Sequence, residues 1–284
     1  MDVGIVVIPS DQSAPITDLA RAAEERGLQA LHVGGDHTHI PVARSTPFPV
    51  VGELPEEYKR SVDPIVALSA AAAVTTRIRL GTCIYLSAER DTIDTAKKIA
   101  SLDHLSGGRV DFGVGYGWNV EEAEHHGVVW KERRSYVREQ VLAMKALWTQ
   151  DEASFSGEHI SFAPSWMWPK PAARPHPPVF IGASPGPRMI ESMIEWGDGW
   201  MPVPFWSHTP DDVVRLRQAV EDGGRDPDTL QIIVNGVMAD PAQVDPWHAI
   251  GVDAVLVVMP TVPLDQSLPV LDAAAALLDQ YTTR

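Results

Sequence analysis

A chain of 284 residues with 44% hydrophobic and 21% charged side chains has the composition of a water-soluble globular protein and the length of one closed α/β barrel, which takes about 250 residues. No apolar run approaches the roughly 18 residues of a membrane span, and 38 acidic against 23 basic side chains give a formal net charge of −15, so neither a membrane nor nucleic acid is an expected partner. The only cysteine, Cys83, excludes an intrachain disulfide and a multi-thiolate zinc site, and Met1-Asp2-Val3-Gly4 enters a strand without a basic or apolar leader, so the expected compartment is the cytoplasm.

Val3 to Ile8 is a continuous apolar run, the pattern of a strand buried on both faces. Pro15 opens a helix with apolar Ile16, Leu19, Ala20 and Ala23, and Gly27 ends it in the left-handed cap position. A strand from Ala30 to Val33 follows. Further strands are predicted at Ile78 to Ile84, Val110 to Val114, Val179 to Ile181, Gly199 to Val203, Leu230 to Asn235 and Ala254 to Val258. The helices between them begin near Pro64 (with Asp63 as N-cap), Thr92, Glu132, Arg188, Pro210, Pro241 and Leu264. Gly27-Leu28-Gln29-Ala30-Leu31, Gly197-Asp198-Gly199-Trp200-Met201 and Gly251-Val252-Asp253-Ala254-Val255 are the same helix-to-strand joint used again. Strict alternation of this kind predicts a (β/α)8 barrel in one domain over residues 1–284. Two connections are long: Gly34 to Arg60, and Thr149 to Pro178 after the fourth helix, where Ala153 to Phe162 alternates around Ser156-Gly157 as a hairpin.

Barrel active sites lie on the loops that follow strands. After the second strand, Gly34-Gly35-Asp36-His37-Thr38-His39 is either a hydrogen-bonded turn or a carboxylate and imidazoles at the barrel mouth. A zinc site needs at least three protein ligands, and the ends Ile8-Pro9-Ser10 and Ile181-Gly182 offer none, so no metal is expected. The small residues of Leu80-Gly81-Thr82-Cys83-Ile84-Tyr85 let the backbone approach a flat ligand. Gly113-Val114-Gly115-Tyr116-Gly117-Trp118-Asn119 lacks the G-x-G-x-x-G spacing of a nicotinamide site. Gly182-Ala183-Ser184-Pro185-Gly186-Pro187 reads as a capped helix start or as a phosphate cradle. Trp118, Trp166, Trp168 and Trp206 are read as loop residues after strands and predict an apolar or aromatic substrate pocket. The run Lys131-Glu132-Arg133-Arg134 reads as a solvated helix face, and Glu121, Glu122 and Glu124 as solvent or cap residues.

Together these segments resemble the luciferase-like oxidoreductase superfamily, above all its actinobacterial branch that uses the deazaflavin F420. The resemblance covers nearly the whole chain and is most specific in Leu80-Gly81-Thr82, Leu102-Asp103, Ser106-Gly107-Gly108-Arg109 and Gly113-Val114-Gly115, continuing in Pro178 to Ala183 and Asp198-Gly199-Trp200. It implies a bulge with a non-prolyl cis peptide at Cys83-Ile84 behind the cofactor ring. Asp36 and His37 would then contact that ring as catalytic residues. The resemblance further implies that Thr82, Cys83 and Ile84, Tyr116, Gly117 and Trp118, and Gly182, Ala183, Ser184 and Gly186 bind the cofactor, and that the chain forms a homodimer. Trp118 stands where sugar-phosphate-oxidising relatives carry an acid, so that substrate is not expected, and Leu86 stands where some deazaflavin users are polar. With F420, a hydride would pass to an unsaturated or carbonyl substrate with His37 as proton donor, and Arg44, Lys59 and Arg60 would meet the anionic tail. With FMN, reduced flavin and oxygen would make a monooxygenase. A non-catalytic ligand-binding barrel and, last, a metal-dependent hydrolase complete the alternatives.

Overall fold

The alternation of apolar runs and helices closes into a barrel in the computed structural model, which describes residues 1–49 and 53–282. Its strands are β1 (Asp2–Val7), β2 (Ala30–Val33), β3 (Arg79–Leu86), β4 (Val110–Gly115), β5 (Ala153–Ser156), β6 (Ser161–Ser165), β7 (Val179–Ile181), β8 (Gly199–Trp200), β9 (Gln231–Val237) and β10 (Ala254–Val258). All but β5 and β6 join one closed parallel sheet in the order β1-β2-β3-β4-β7-β8-β9-β10, with β10 returning to β1 at Val3↔Val255. The helices are α1 (Ile16–Glu25), α2 (Pro64–Ala72), α3 (Thr92–Ser106), α4 (Val120–His125), α5 (Arg133–Thr149), α6 (Pro187–Glu195), α7 (Pro210–Asp222), α8 (Pro241–Ala249) and α9 (Leu264–Thr282).

Local chemistry sets the ends of these elements. The Asp63 carboxylate accepts the N–H groups of Ile65 and Val66 with Pro64 in the first helical position, which starts α2 where the sequence predicts it. Gly27 and Gly251 take the left-handed conformation, with φ of +79° and +66°, and so stop a helix just before the next strand. β8 ends at Trp200 rather than Val203, because Pro202 has no N–H to continue the ladder. β3 and β9 run past the predicted Ile84 and Asn235 to Leu86 and Val237.

One side of the sheet packs on the helices through Phe112, Tyr85, Trp148 and Trp200, all buried. Val6, Cys83, Phe180, Met201, Ile233 and Leu256 form a second apolar cluster. Arg109 ties the entry of β3 to α2 and α3, donating to the carbonyls of Ser106 (2.7 Å), Ile78 (2.7 Å) and Thr75 (3.0 Å); this is the structural content of the Ser106-Gly107-Gly108-Arg109 motif. Glu24 accepts the N–H groups of Thr76, Arg77 and Ile78 in the same region. The hairpin β5–β6 after α5 is antiparallel, and the Glu139 carboxylate on α5 receives the N–H groups of Glu158, His159 and Ile160 at its turn. α4 is an addition to the predicted set, and it decides the site described next.

Candidate active site

At the carboxyl ends of the strands a cavity of roughly 240 Å³ is lined by residues of β3 and β9, of the loops after β2, β4, β7 and β8, and of the start of α5. Its floor is the end of β3, where pairing with β4 slips between Thr82 and Tyr85 and the Cys83–Ile84 peptide is cis. Cys83 and Ile84 face the cavity. Thr82 does not: its hydroxyl is buried and donates to the Gly113 carbonyl at 2.7 Å. Room for Ile84 is made by its neighbours. A Cβ on Gly115 would stand 1.7 Å from Ile84 Cδ1, and one on Gly182 2.4 Å from Ile84 Cγ2, so only glycine fits at either strand end beside this side chain. Burial pushes the Cys83 thiol up, which keeps it neutral.

The loop after β2 supplies Asp36 and His37. Both oxygens of the buried Asp36 are engaged, one by the Leu86 N–H at 2.7 Å and the other by Arg90. Burial pushes this carboxyl up against the pull of the Arg90 guanidinium. His37 lies between two partners that fix its tautomer. Its Nδ1 is 2.6 Å from Glu122 Oε2, and the indole Nε1 of Trp118, which can only donate, is 3.3 Å from its Nε2. The neutral imidazole therefore carries its proton on Nδ1 and presents a lone pair at Nε2. In this state Nε2 is the accepting nitrogen of the ring. Tyr58 and Trp118 rings stand 5.6 Å from the imidazole, and Phe48 packs edge-on against both. Burial pushes Tyr58 up to about 12.

Glu122 overturns the reading of the acidic run as solvent or cap residues. Its side chain is 0% exposed, carried inward by α4, whose N-cap Asn119 accepts the Glu122 N–H. Glu121 stays outside and receives the hydroxyls of Ser45 and Thr46. Thr38 meets His126 at 2.6 Å and His39 meets His125 at 2.9 Å. The long β2 loop is thus fastened along α4, although residues 50–52 of the predicted Gly34 to Arg60 connection lie outside the described residues.

On the β7 side, Gly182, Ala183 and Ser184 line the cavity while Gly186 stands back as the N-cap of α6. His208 Nδ1 accepts the Val203 N–H at 2.9 Å, so its proton is on Nε2 and is donated to Ser184 Oγ at 3.2 Å. Ser184 keeps its own hydroxyl hydrogen for the cavity. Burial lowers His208 and keeps it neutral. Arg133 and Arg134 also line this cavity, which corrects their reading as a solvated face. The Arg133 guanidinium lies 3.6 Å over the Trp130 ring and Arg134 lies 4.4 Å over Tyr116. Arg133 is lowered by burial and then by the charges of Arg134 and Arg188. A protein of net charge −15 has here gathered two guanidiniums in the lining with a third, Arg188, near enough to act on Arg133, and among the described residues neither lining guanidinium is ion-paired with a carboxylate.

Trp118 and Trp206 belong to the cavity lining, whereas Trp166 and Trp168 do not. Both follow the hairpin strand β6, which lies outside the barrel sheet, and they are 79% and 55% exposed; the Trp168 carbonyl accepts from Lys97 on the flank of α3. Arg44 and Lys59 line a separate hollow in the β2 loop, and Arg60 is paired with Glu56 and Asp11. Among the described residues no cluster of three His, Cys, Asp or Glu side chains is placed to hold a metal ion, and no helix is long and apolar enough to cross a membrane. The sequence reading missed Phe48, Tyr58, Glu122, Arg133, Arg134 and His208. Only the arginine pair carried a usable signal, as a basic doublet in an acidic chain.

Residues 5–240 match the family model of the luciferase-like monooxygenases. The chain belongs to that family. This luciferase-like protein is 42% identical over 281 residues to an uncharacterised protein of Mycobacterium tuberculosis, covering 98% of this chain and 99% of the relative. The phthiodiolone/phenolphthiodiolone dimycocerosates ketoreductase of the same species is 28% identical over 75% of this chain and 58% of its own length. Among solved structures, a monooxygenase of Streptomyces bottropensis superposes with a TM-score of 0.81 at 23% identity over 99% of this chain and 100% of its own. The coenzyme F420-dependent tetrahydromethanopterin reductase of Methanopyrus kandleri superposes with a TM-score of 0.74 at 16% identity, covering 99% of each chain. The (β/α)8 fold is common to this chain and the two solved structures, and by its family the chain is a luciferase-like oxidoreductase.

Proposed function

We propose that this luciferase-like enzyme uses F420 to move a hydride to or from a small, apolar or aromatic organic substrate, as a single domain over residues 1–284. The observation that carries the reading is one cavity with an imidazole of fixed tautomer at one end and an uncompensated arginine cluster at the other. A flat redox cofactor with an anionic tail, whose partner substrate must gain or lose a proton, needs both. The residues present fit such a group: Arg133 Nε and Trp206 Nε1 are buried N–H donors without an acceptor, and Asn235 Oδ1 is a buried acceptor without a donor, all three on side chains of the cavity lining. Polar atoms left so in a folded chain point to a ligand that completes them.

When bound, the deazaflavin supplies two-electron hydride chemistry. Arg133, Arg134 and the free Ser184 hydroxyl would hold the phosphate and tail, with His208 orienting the serine. Cys83 and Ile84 offer the backing for the ring, and Tyr116, Gly117, Gly182 and Ala183 its edges. Phe48, Tyr58, Trp118 and Phe205 keep water from the reacting end. His37 takes the substrate's proton at Nε2 as a carbonyl forms, and returns it when the reaction runs toward the alcohol, with Trp118 turning aside in either direction. Asp36 acts on the backbone, fastening the β2 loop to the end of β3. The neighbour named for F420 use and the relative named as a ketoreductase support this reading, as the neighbour named as a monooxygenase supports the FMN alternative.

Titration of the apoprotein with F420 and with FMN, followed by absorbance and fluorescence, tests it. F420 should bind at least tenfold more tightly, and His37→Asn should keep that binding while losing turnover. Equal, weak binding of both cofactors refutes it, and tight FMN binding transfers the chain to the monooxygenases.

A further inference from the structure

Behind His37 the protein has buried more acid than it can leave ionised. Asp36, Glu89 and Glu122 are 3%, 7% and 0% exposed, and the cation among them, Arg90, is taken by Asp36. Glu89 belongs to the short turn Ser87–Glu89 after β3, Glu122 to α4, and their carboxyls lie within hydrogen-bonding reach of each other. Two oxygens in this pair, Glu89 Oε2 and Glu122 Oε1, are buried with no donor among the described residues. Two carboxylates side by side cannot satisfy one another, since each only accepts. One proton held between them removes a charge and supplies the missing donor.

Resting on the reading of His37 as the acid-base group, we propose that Glu89 and Glu122 share one proton and form a buried store that takes up a second when His37 accepts a proton from substrate. In the oxidising direction an alcohol gives its hydride to the oxidised deazaflavin and its hydroxyl proton to His37 Nε2, while the Nδ1 proton crosses to Glu122 Oε2. His37 ends neutral with its proton on Nε2, and the carboxyl pair goes from one proton and charge −1 to two protons and charge 0. In the reducing direction Nε2 gives its proton to the carbonyl oxygen as hydride arrives at carbon, and Glu122 returns its proton to Nδ1. The imidazole is neutral before and after, so no new charge has to be buried against the aromatic wall. Glu122 and Glu89 are positioning and relay residues that need not touch substrate.

The groups facing the pair are Asp36 and His37 from the β2 loop, Arg90 beside Glu89, and His126 at the C-cap of α4. Burial, then the charges of Glu122 and Asp36, push Glu89 up to about 9 against the pull of Arg90.

Infrared difference spectroscopy of the cofactor-free protein tests the shared proton without any turnover. A protonated carboxyl stretch should be present at neutral pH, shift in D2O, fade as the pH passes about 9, and be missing from Glu89→Gln. Its absence from the unmodified protein, or its persistence in Glu89→Gln, overturns the proposal. Single-turnover hydride transfer tests the relay. Glu122→Gln should bind F420 as the unmodified protein does and transfer hydride about 10²-fold more slowly, within the range of general acid-base effects. Full rate in Glu122→Gln with loss in His37→Asn overturns the relay alone. Full rate in both overturns the assignment of His37, while the infrared band still judges the shared proton.

Discussion

Replacing Arg133 with methionine keeps an apolar stem over the Trp130 ring, 3.6 Å from the present guanidinium, and removes one charge and one spare donor from the cavity. A hydrogen bond to a charged group contributes about 1.5–3 kcal/mol, and each 1.4 kcal/mol is tenfold in affinity, so a phosphorylated deazaflavin should bind about 10- to 150-fold more weakly. The unliganded protein should change little in stability, because the lost ring contact and hydrogen bond to Trp130 are offset by relief of the repulsion from Arg134 and Arg188. Fluorescence titration of Arg133→Met and the unmodified protein with F420, and with the same deazaflavin stripped of its phosphate, separates the effect from general damage. The two proteins should bind the phosphate-free ligand alike, and the difference for F420 should shrink with added salt as charges are screened. An equal loss for both ligands, or none for F420, refutes the assignment of this end of the cavity.

Gly115→Ala forces Ile84 into the cavity, where the new methyl would stand 1.7 Å from Ile84 Cδ1; calorimetry should find a loss of about 1–3 kcal/mol, cofactor affinity should fall, and the double change with Ile84→Ala should restore it. Arg109→Met leaves the Thr75, Ile78 and Ser106 carbonyls without their donor. Denaturant unfolding should register a cost of about 3 kcal/mol or more, and a cost under about 1 kcal/mol would show that water replaces the guanidinium freely. Glu139→Ala should open the β5–β6 turn, seen as faster amide exchange at Glu158, His159 and Ile160 with slow exchange retained in β1 and β4. Glu24 is lowered overall: against the cost of burial, three backbone N–H groups and Arg77 hold its ionised form. Its folded value lies below the unfolded one, so its contribution is present above the ordinary 4.5 and is lost as pH falls through the depressed value. Glu24→Gln should therefore flatten the acid limb of the stability curve, and an unchanged acid limb would dismiss this role.

The barrel was legible because its grammar is local: apolar runs of strand length, proline and aspartate at helix starts, and glycine at joints such as Gly27 and Gly251 each act within a few residues. The site was legible only where it rides on the ends of those strands, at His37, Cys83, Ile84, Trp118 and Ser184. Glu122 was misread because charge predicts exposure, and nothing within the six residues of α4 tells that His37, 85 positions earlier, waits for it. Thr82 was placed at the cofactor by resemblance together with its two neighbours, but it lies just before the β3–β4 register slips and turns its hydroxyl to the Gly113 carbonyl. Trp166 and Trp168 went wrong through connectivity: they do follow a strand, but β6 belongs to a hairpin outside the barrel sheet, so the rule for loops after barrel strands does not apply to them. The arginine pair was assigned to solvent by helical periodicity, which reports which face a residue takes and not what stands opposite it.

Nature has left a built-in probe at this address. Cys83 is the chain's sole thiol, set in the cradle behind the cavity and kept sluggish by burial. Its labelling by a small alkylating reagent, counted by mass, will therefore report on that cradle and on no other place in the chain. Whatever molecule is seated there should slow the labelling, so occupancy by any ligand can be screened on unaltered protein before a single substrate has been identified.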